Sequence, residues 1–170
     1  RLTSVCAPAG SGKTTTVLYW FNQLRTAGRP GLWTAARAGI ANLPTFLLAL
    51  RQAGVEAGLP WAHLDRPGGD VAWLAALSAH HALKPVLVID DAQLLPDDVL
   101  AFVRKLIVAA RDALTTIVIS RGTVDIPLAR IRGLGFLYEV GPDELRFNPT
   151  ETAEFFERFT GSALDAAEMD

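Results

Sequence analysis

The residues best suited to chemistry stand near the start of the chain, where two glycines come just before a lysine and a threonine. Small residues let backbone N–H groups turn inward toward an anion, and a helix starting there adds its unpaired amides and positive dipole end. A lysine in this position reaches the β- and γ-phosphates of a nucleotide, and the following hydroxyl binds Mg²⁺. The stretch therefore predicts a phosphate-binding loop, the Walker A pattern, with these contacts: Ala9, Gly10, Ser11, Gly12, Lys13, Thr14 and Thr15.

The segments on either side of this loop fit a strand and a helix. The incoming residues 3–7 are short and apolar, as in a buried strand. The outgoing segment places apolar residues on one helical face, namely Val17, Leu18, Phe21 and Leu24. The usual pattern G-x-x-x-x-G-K-[ST] is broken only at its first glycine, which is Ala7 here. The alternative is a glycine-rich turn followed by a surface lysine, and it would not explain the strand and helix on either side.

A second informative stretch is the apolar run of residues 85–89, which ends in Asp90 and Asp91. A continuous apolar run of this length is typical of a strand buried on both faces of a parallel sheet. Asp90 would then emerge at the carboxyl edge of the sheet and hold Mg²⁺ together with Thr14, the Walker B arrangement. Asp91 stands one residue further, where a carboxylate can orient the attacking water. The alternative is that the two acids simply begin a loop.

Composition limits the classes of protein that this chain can be. It has 170 residues, half of them hydrophobic and a fifth charged, with a net charge of −2 and one cysteine. This is the composition of a folded domain, and the charge argues against direct nucleic-acid binding by this part. No apolar run approaches the ~20 residues that span a bilayer. Without a secretion leader, and with Cys6 expected as a buried thiol, we predict a cytoplasmic protein without membrane contact. The chain opens with Arg1 rather than Met, so we expect a piece of a longer protein.

The order of the remaining elements predicts the sheet. A strand–helix–helix block over about residues 31–83 separates the phosphate loop from the Asp90 strand. Its second helix is expected to start at Asp70 and to end near His80 and His81, which we interpret as solvated residues rather than metal ligands. Such a block suits a three-layer αβα fold whose five-stranded parallel sheet has the order 5-1-4-3-2. Arg121, which ends the strand 115–120, would then face the γ-phosphate. The alternative is an arginine that only caps the strand end or pairs with Asp90 or Asp125.

These motifs together resemble one family. The set resembles the ATPase domain of the large, MalT-like LuxR-type transcriptional regulators, which are STAND-class, AAA-like P-loop NTPases. The resemblance covers essentially the whole chain and is carried by the loop at 7–15 and by the segments Val88–Leu95, Ile119–Arg121, Pro127–Arg130 and Glu144–Phe147.

The resemblance implies a regulatory switch that binds ADP or ATP with Mg²⁺ and hydrolyses ATP slowly. It implies self-association in the ATP state and DNA binding only through a helix-turn-helix outside this piece. Lys13, Asp91 and Arg121 would be the catalytic residues. Residues 1–142 would form the NTPase domain, and residues 143–170 would begin a helical or winged-helix domain.

Two other functions stay open: a small-molecule phosphotransferase, for which residues 130–132 are the only candidate lid arginines, and a nucleotide-binding domain without turnover. The family usually carries an acidic stretch that contains Gly-Asp after its second strand, whereas this chain has Ala35-Ala36-Arg37-Ala38-Gly39 there.

Overall fold

A computed structural model describes residues 1–37, 39–60 and 81–160 of the chain. In these ranges the strands are β1 (Leu2–Cys6), β2 (Gly31–Ala35), β3 (Val86–Asp90), β4 (Thr115–Ser120) and β5 (Leu137–Val140). The α-helices are α1 (Lys13–Thr26), α2 (Leu43–Glu56), α3 (Asp97–Ala109), α4 (Leu128–Gly133), α5 (Pro142–Leu145) and α6 (Pro149–Thr160). The helix predicted from Asp70, with Val71, Leu74, Leu77 and Ser78 on one face, lies outside the described residues, as do His80 and the end of the chain from Gly161.

The five strands form one parallel sheet in the order β2-β3-β4-β1-β5, which confirms the predicted order 5-1-4-3-2. Every adjacent pair is parallel, so all carboxyl ends meet at the same edge. In the register, Cys6 pairs with Ser120 and Ala35 pairs with Asp90. The residues that follow β1, β2, β3 and β4 are therefore neighbours in space.

Helices cover both faces of this sheet, which confirms the three-layer αβα fold. Val17 and Phe21 of α1 pack with Val5, Val88 and Ile119 on one face. On the opposite face, α2, α3 and α4 bury Phe46, Phe102 and Ile131 against the sheet. All five residues of β3 are buried, as a strand covered on both faces requires.

Two expectations about the core need correction. Leu18 is 46% exposed, although it was placed on the buried face of α1. The buried stripe of this helix runs at a spacing of four through Val17 and Phe21, and Phe21 packs edge-on against Trp33, so Leu18 turns away from the sheet. Cys6 is a free thiol that is half-buried rather than buried.

The later elements complete the sheet and its helical layer. One face of α3 is buried through Val99, Phe102, Val103 and Leu106. The fifth strand starts at Leu137. At the start of α6, Oδ1 of Asn148 accepts a hydrogen bond from the Glu151 amide at 2.9 Å. No helix within the described ranges has the length and apolar character needed to cross a membrane.

Phe46 and Leu48 of α2 give a matched test of the core. Phe46 is fully buried and packs edge-on against Phe102, whereas Leu48 is 63% exposed. We expect Phe46→Ala to lower the free energy of unfolding by about 3–5 kcal/mol because it leaves a cavity. Leu48→Ala should change it by less than about 0.5 kcal/mol. Urea denaturation of both variants checks this, and equal losses would contradict the packing of α2 on this face.

Candidate functional site

The loop between β1 and α1 turns through two glycines in the left-handed region. Gly10 has a φ of 83° and Gly12 a φ of 76°, and Gly12 is the N-cap of α1. A Cβ at either glycine would meet no atom within 4 Å, so the backbone conformation, rather than crowding, requires glycine. Successive turns of this kind direct backbone N–H groups into a concave anion site. The loop therefore has the backbone of a phosphate cradle.

Lys13 is the first residue of α1, directly after this loop, and is 7% exposed. Its ammonium donates hydrogen bonds to the carbonyl of Pro8 and, at 3.2 Å, to Oγ of Ser11. Both acceptors are neutral, so the positive charge of Lys13 has no anionic partner in the hydrogen bonds that it makes. A lysine held this way offers its charge to an anion seated in the loop.

Ala7, which replaces the usual first glycine, does not disturb the loop. It is 2% exposed, its amide bonds the Ser120 carbonyl at 3.3 Å, and it has no positive φ. The position therefore continues β1 and does not need glycine.

Asp90 and Thr14 come together across the sheet edge. Oγ1 of Thr14 lies 3.2 Å from Oδ2 of Asp90, and Oδ1 of Asp90 accepts the Asp91 amide at 2.8 Å. Asp90 is 9% exposed. Within the described residues no cluster of three or more His, Cys, Asp or Glu side chains could hold a metal. A hydroxyl with one carboxylate suits Mg²⁺, which completes its octahedral shell with phosphate and water oxygens. Thr14 and Asp90 therefore fit the predicted metal site.

Asp91 points to a different set of partners. Its Oδ2 lies 2.7 Å from Nε of Arg37, and its Oδ1 lies 3.3 Å from Nε of Arg121. Gln93 donates to Oδ1 at 3.0 Å and accepts the Arg121 amide through Oε1 at 3.1 Å. These contacts tie together the residues that follow β2, β3 and β4. Arg121 thus pairs with Asp91 and not with Asp90 or Asp125, and Asp125 pairs with Arg104 at 2.8 Å.

The surroundings of Asp91 set its ionisation. Burial acts to raise its pKa, but the hydrogen bond from Gln93 and the charges of Arg37 and Arg121 outweigh burial and hold the pKa below its ordinary value. Asp91 is therefore a carboxylate at neutral pH, and its charge is already matched by two guanidinium groups.

One open cavity at the carboxyl edge brings most of the predicted site residues together. Its lining includes Ala9, Gly10, Gly12, Lys13, Thr14, Thr15, Asp90, Asp91 and Arg121. Ser11 is not among the lining residues, although its hydroxyl holds Lys13. Sequence reasoning missed Gln93 and Arg37 as members of the site. Arg37 could have been found, because it stands two residues after a strand that neighbours β3 in the predicted order.

Comparison with a known family covers most of the chain. The sequence model of a family described as AAA domain matches residues 1–123. This range contains the phosphate loop, Asp90, Asp91 and Arg121.

Solved structures with the same fold include proteins of replication initiation. The Orc1 protein of Aeropyrum pernix in complex with DNA is 13% identical over 96% of this chain and 44% of that chain, with a TM-score of 0.57. AMPPCP-bound DnaA from Aquifex aeolicus is 15% identical over 99% of this chain and 48% of that chain, with a TM-score of 0.51. The chain spans about half the length of these structures or less, and at such identities the likeness concerns the fold alone.

The contacts of Asp91 predict a pH-dependent stability. A carboxyl whose pKa is lower in the folded state stabilises the fold above its unfolded pKa, and this contribution is lost as the pH falls through the lowered value. Asp91→Asn tolerates the same left-handed backbone. It should cost ~1 kcal/mol at neutral pH, since both arginine partners are about half exposed.

Urea unfolding at about pH 7 and about pH 3 tests this prediction, and the difference from wild type should shrink at the lower pH. Asp112→Asn makes the same change at a side chain that is 90% exposed and serves as the control. A difference for Asp91→Asn that stays constant between the two pH values would contradict the ion pairs.

Proposed function

Because the chain belongs to the AAA domain family, we propose that it is an ATP-binding, slowly hydrolysing switch domain of a MalT-like, LuxR-type transcriptional activator. The observation that carries the proposal is the cavity in which Lys13, Thr14, Asp90 and Arg121 meet at one sheet edge. Lys13 supplies a positive charge for the phosphates, and Arg121 supplies a second one beyond the loop. Thr14 and Asp90 supply a hydroxyl and a carboxylate for Mg²⁺.

Each side chain has one role in binding Mg²⁺-ATP. The loop amides and Lys13 bind the β- and γ-phosphates, and the phosphates replace the Pro8 carbonyl as the partner of the lysine. Thr14 and Asp90 would hold Mg²⁺, which would supply positive charge to the phosphate oxygens. Asp91 orients the attacking water and accepts its proton.

Arg121 is the residue by which such a switch distinguishes ATP from ADP. A ligand shifts an equilibrium only by its differential affinity for the two states, so the sensing group must contact the γ-phosphate and little else. Arg121 lines the cavity, is 46% exposed and follows β4, the strand between β1 and β3. Its planar guanidinium suits phosphate oxygens. A γ-phosphate would compete with Asp91 for this group.

The regulatory part of the proposal rests on the resemblance in sequence. One structural neighbour, DnaA, is bound to AMPPCP, which supports nucleotide binding by this fold. Another, Orc1, is in complex with DNA, and that DNA binding is said of Orc1 only. In our proposal DNA binding belongs to a helix-turn-helix outside these residues, and the ATP state promotes self-association. Residues 143–170 begin the following helical or winged-helix domain, and the protein acts in the cytoplasm.

A small-molecule phosphotransferase is less well supported. Such an enzyme needs free lid arginines near an acceptor. Arg132 donates two hydrogen bonds to Glu139 instead, so one of the two candidate cations is already paired. Measuring phosphate release distinguishes a slow ATPase, which releases phosphate from ATP, from a domain that binds nucleotide without turnover.

The proposal predicts that Arg121→Ala discriminates between nucleotides. Removing a charge-assisted bond made only to the γ-phosphate should weaken Mg²⁺-ATP by ~1–3 kcal/mol, a roughly 5- to 150-fold loss, while ADP affinity changes little. Calorimetric titration of both nucleotides into one mutant gives the ratio directly.

Arg104→Ala is the matched control, because Arg104 also pairs with an aspartate but is not among the residues that line the cavity. It should leave both affinities unchanged. An equal loss of ADP and ATP in Arg121→Ala, or no loss of either, would remove Arg121 from the sensing role.

A further inference from the structure

Polar side chains replace the apolar core at one corner of the sheet, on the face opposite α1. Three strands each place a residue in or against the core of this face: Leu2 of β1, Val118 of β4 and Leu137 of β5. Side chains two residues apart on a strand share a face. Further toward the carboxyl edge, the same face of these strands therefore carries polar residues: Ser4, Cys6, Ser120 and Glu139.

These polar residues line a cavity of about 250 Å³ between the sheet and residues 122–128, which follow β4. Apolar side chains complete its wall: Val118, Val124, Ile126, Leu128 and Val140. Drug-sized ligands fill pockets of roughly 300–1,000 Å³, so this space suits a smaller molecule. Of its described lining residues, only Ser120 also lines the cavity around the phosphate loop. The two cavities are therefore distinct.

Ser120 gives this cavity a hydrogen-bonding group. Ser120 is 4% exposed, and its main-chain carbonyl accepts the Ala7 amide at 3.3 Å. Within the described ranges its hydroxyl makes no hydrogen bond to another residue. A buried polar group without a partner costs free energy, and native structures contain few of them. A serine hydroxyl both donates and accepts, so a molecule in the cavity can satisfy it.

The charge of the lining limits what that molecule can be. Among the described residues that line the cavity, Glu139 is the one that carries a charge. Its carboxylate is 44% exposed and accepts a hydrogen bond from Nε of Arg132 at 3.0 Å. An anion in the cavity would meet this carboxylate with no lysine or arginine in the described lining. A hydroxyl or an amine meets acceptors instead.

We propose that this cavity is a second binding site, for a small uncharged or cationic molecule that carries a hydroxyl or an amino group. Ser120 hydrogen-bonds that group, and the apolar wall contacts the carbon atoms of the molecule. The phosphate loop takes an anion, so the two cavities take ligands of different chemistry. This second site does not require that the chain hydrolyses ATP.

Cys6 allows small groups to be placed in the cavity one at a time. It is the one cysteine of the chain, its thiol is free and half-buried, and it lines the cavity. In exchange with a symmetric disulfide, the Cys6 thiolate attacks one sulfur and a mixed disulfide forms. The other half leaves as a thiolate with the electron pair of the broken bond. Intact-mass spectrometry then gives the fraction of the chain that carries the group.

The test exchanges the full chain with three probes that differ in their end group: bis(hydroxyethyl) disulfide, cystamine and dithiodipropionate. Each probe is mixed with its own thiol at a fixed ratio. Comparison with the urea-unfolded chain cancels the intrinsic chemistry of the probe. We expect the folded chain to favour the hydroxyethyl and aminoethyl groups by roughly three- to tenfold, the effect of about one hydrogen bond. The carboxyethyl group should gain nothing.

Ser120→Ala and Thr116→Val form a matched pair of variants. Both remove a buried hydroxyl from the same face of β4, but Thr116 is not among the described residues that line the cavity. Ser120→Ala should abolish the preference of the folded chain, and Thr116→Val should keep it. Ser4→Leu fills part of the cavity from β1 and should lower the capture of all three groups. The thermal midpoint of each variant is measured to check that it is folded.

Several results would overturn the site. Equal capture by the folded and unfolded chain for all three groups would make Cys6 a thiol open to solvent only. A preference that Ser120→Ala leaves intact, or stronger capture of carboxyethyl than of hydroxyethyl, contradicts the proposed chemistry. Loss of the preference in saturating ADP would assign the cavity to the nucleotide site. A chain that captures the hydroxyethyl group as expected but does not bind ADP would support this site and contradict the proposed function.

Discussion

The site depends on one hydrogen bond, from Oγ1 of Thr14 to Oδ2 of Asp90, which joins the first turn of α1 to the end of β3 across the intervening β4. It forms because β1, β4 and β3 run parallel and end at the same level. A slip of β3 by one residue would turn Asp90 toward the other face of the sheet. The pairing of β3 with β2 and β4 on either side sets this register, so the sheet fixes where the Asp90 carboxylate stands.

The side chains of the consecutive residues Asp90 and Asp91 contact different partners, because the backbone changes from the extended to the left-handed conformation between them. Asp90 ends a regular strand and faces Thr14, whereas Asp91 adopts a left-handed conformation and faces Arg37 and Arg121. At this edge of the sheet the Asp90 carboxylate contacts the Thr14 hydroxyl, and the Asp91 carboxylate lies between two guanidinium groups. Within the described ranges the hydrogen bonds of Lys13 go to a carbonyl and a hydroxyl, so its positive charge is available to an anion at this edge. Asp90 and Asp91 therefore have different partners although they are adjacent in the sequence.

Much of this arrangement could be read from the sequence, because it follows from patterns that are local or topological. Short continuous apolar runs predicted the parallel strands, and the long block before Asp90 predicted the strand order. The left-handed turn at Asp91 and the pairing of Arg37 with it could not be predicted, since both depend on how three strand ends meet in space. The exposure of Leu18 was missed for a similar reason: helical spacing allowed two faces, and packing of Phe21 against Trp33 selected one.

In the proposed function, the loop before α1 binds nucleotide phosphates through Lys13. The most direct measurement is calorimetric titration of ADP and Mg²⁺-ATP into wild type and Lys13→Ala. The partners of Lys13 are a loop carbonyl and a hydroxyl, so the variant should keep its circular dichroism spectrum. We expect both nucleotides to lose ~1.5–3 kcal/mol of binding free energy, which is more than a tenfold loss of affinity. Affinities within about twofold of wild type in the folded variant would contradict the phosphate-binding loop.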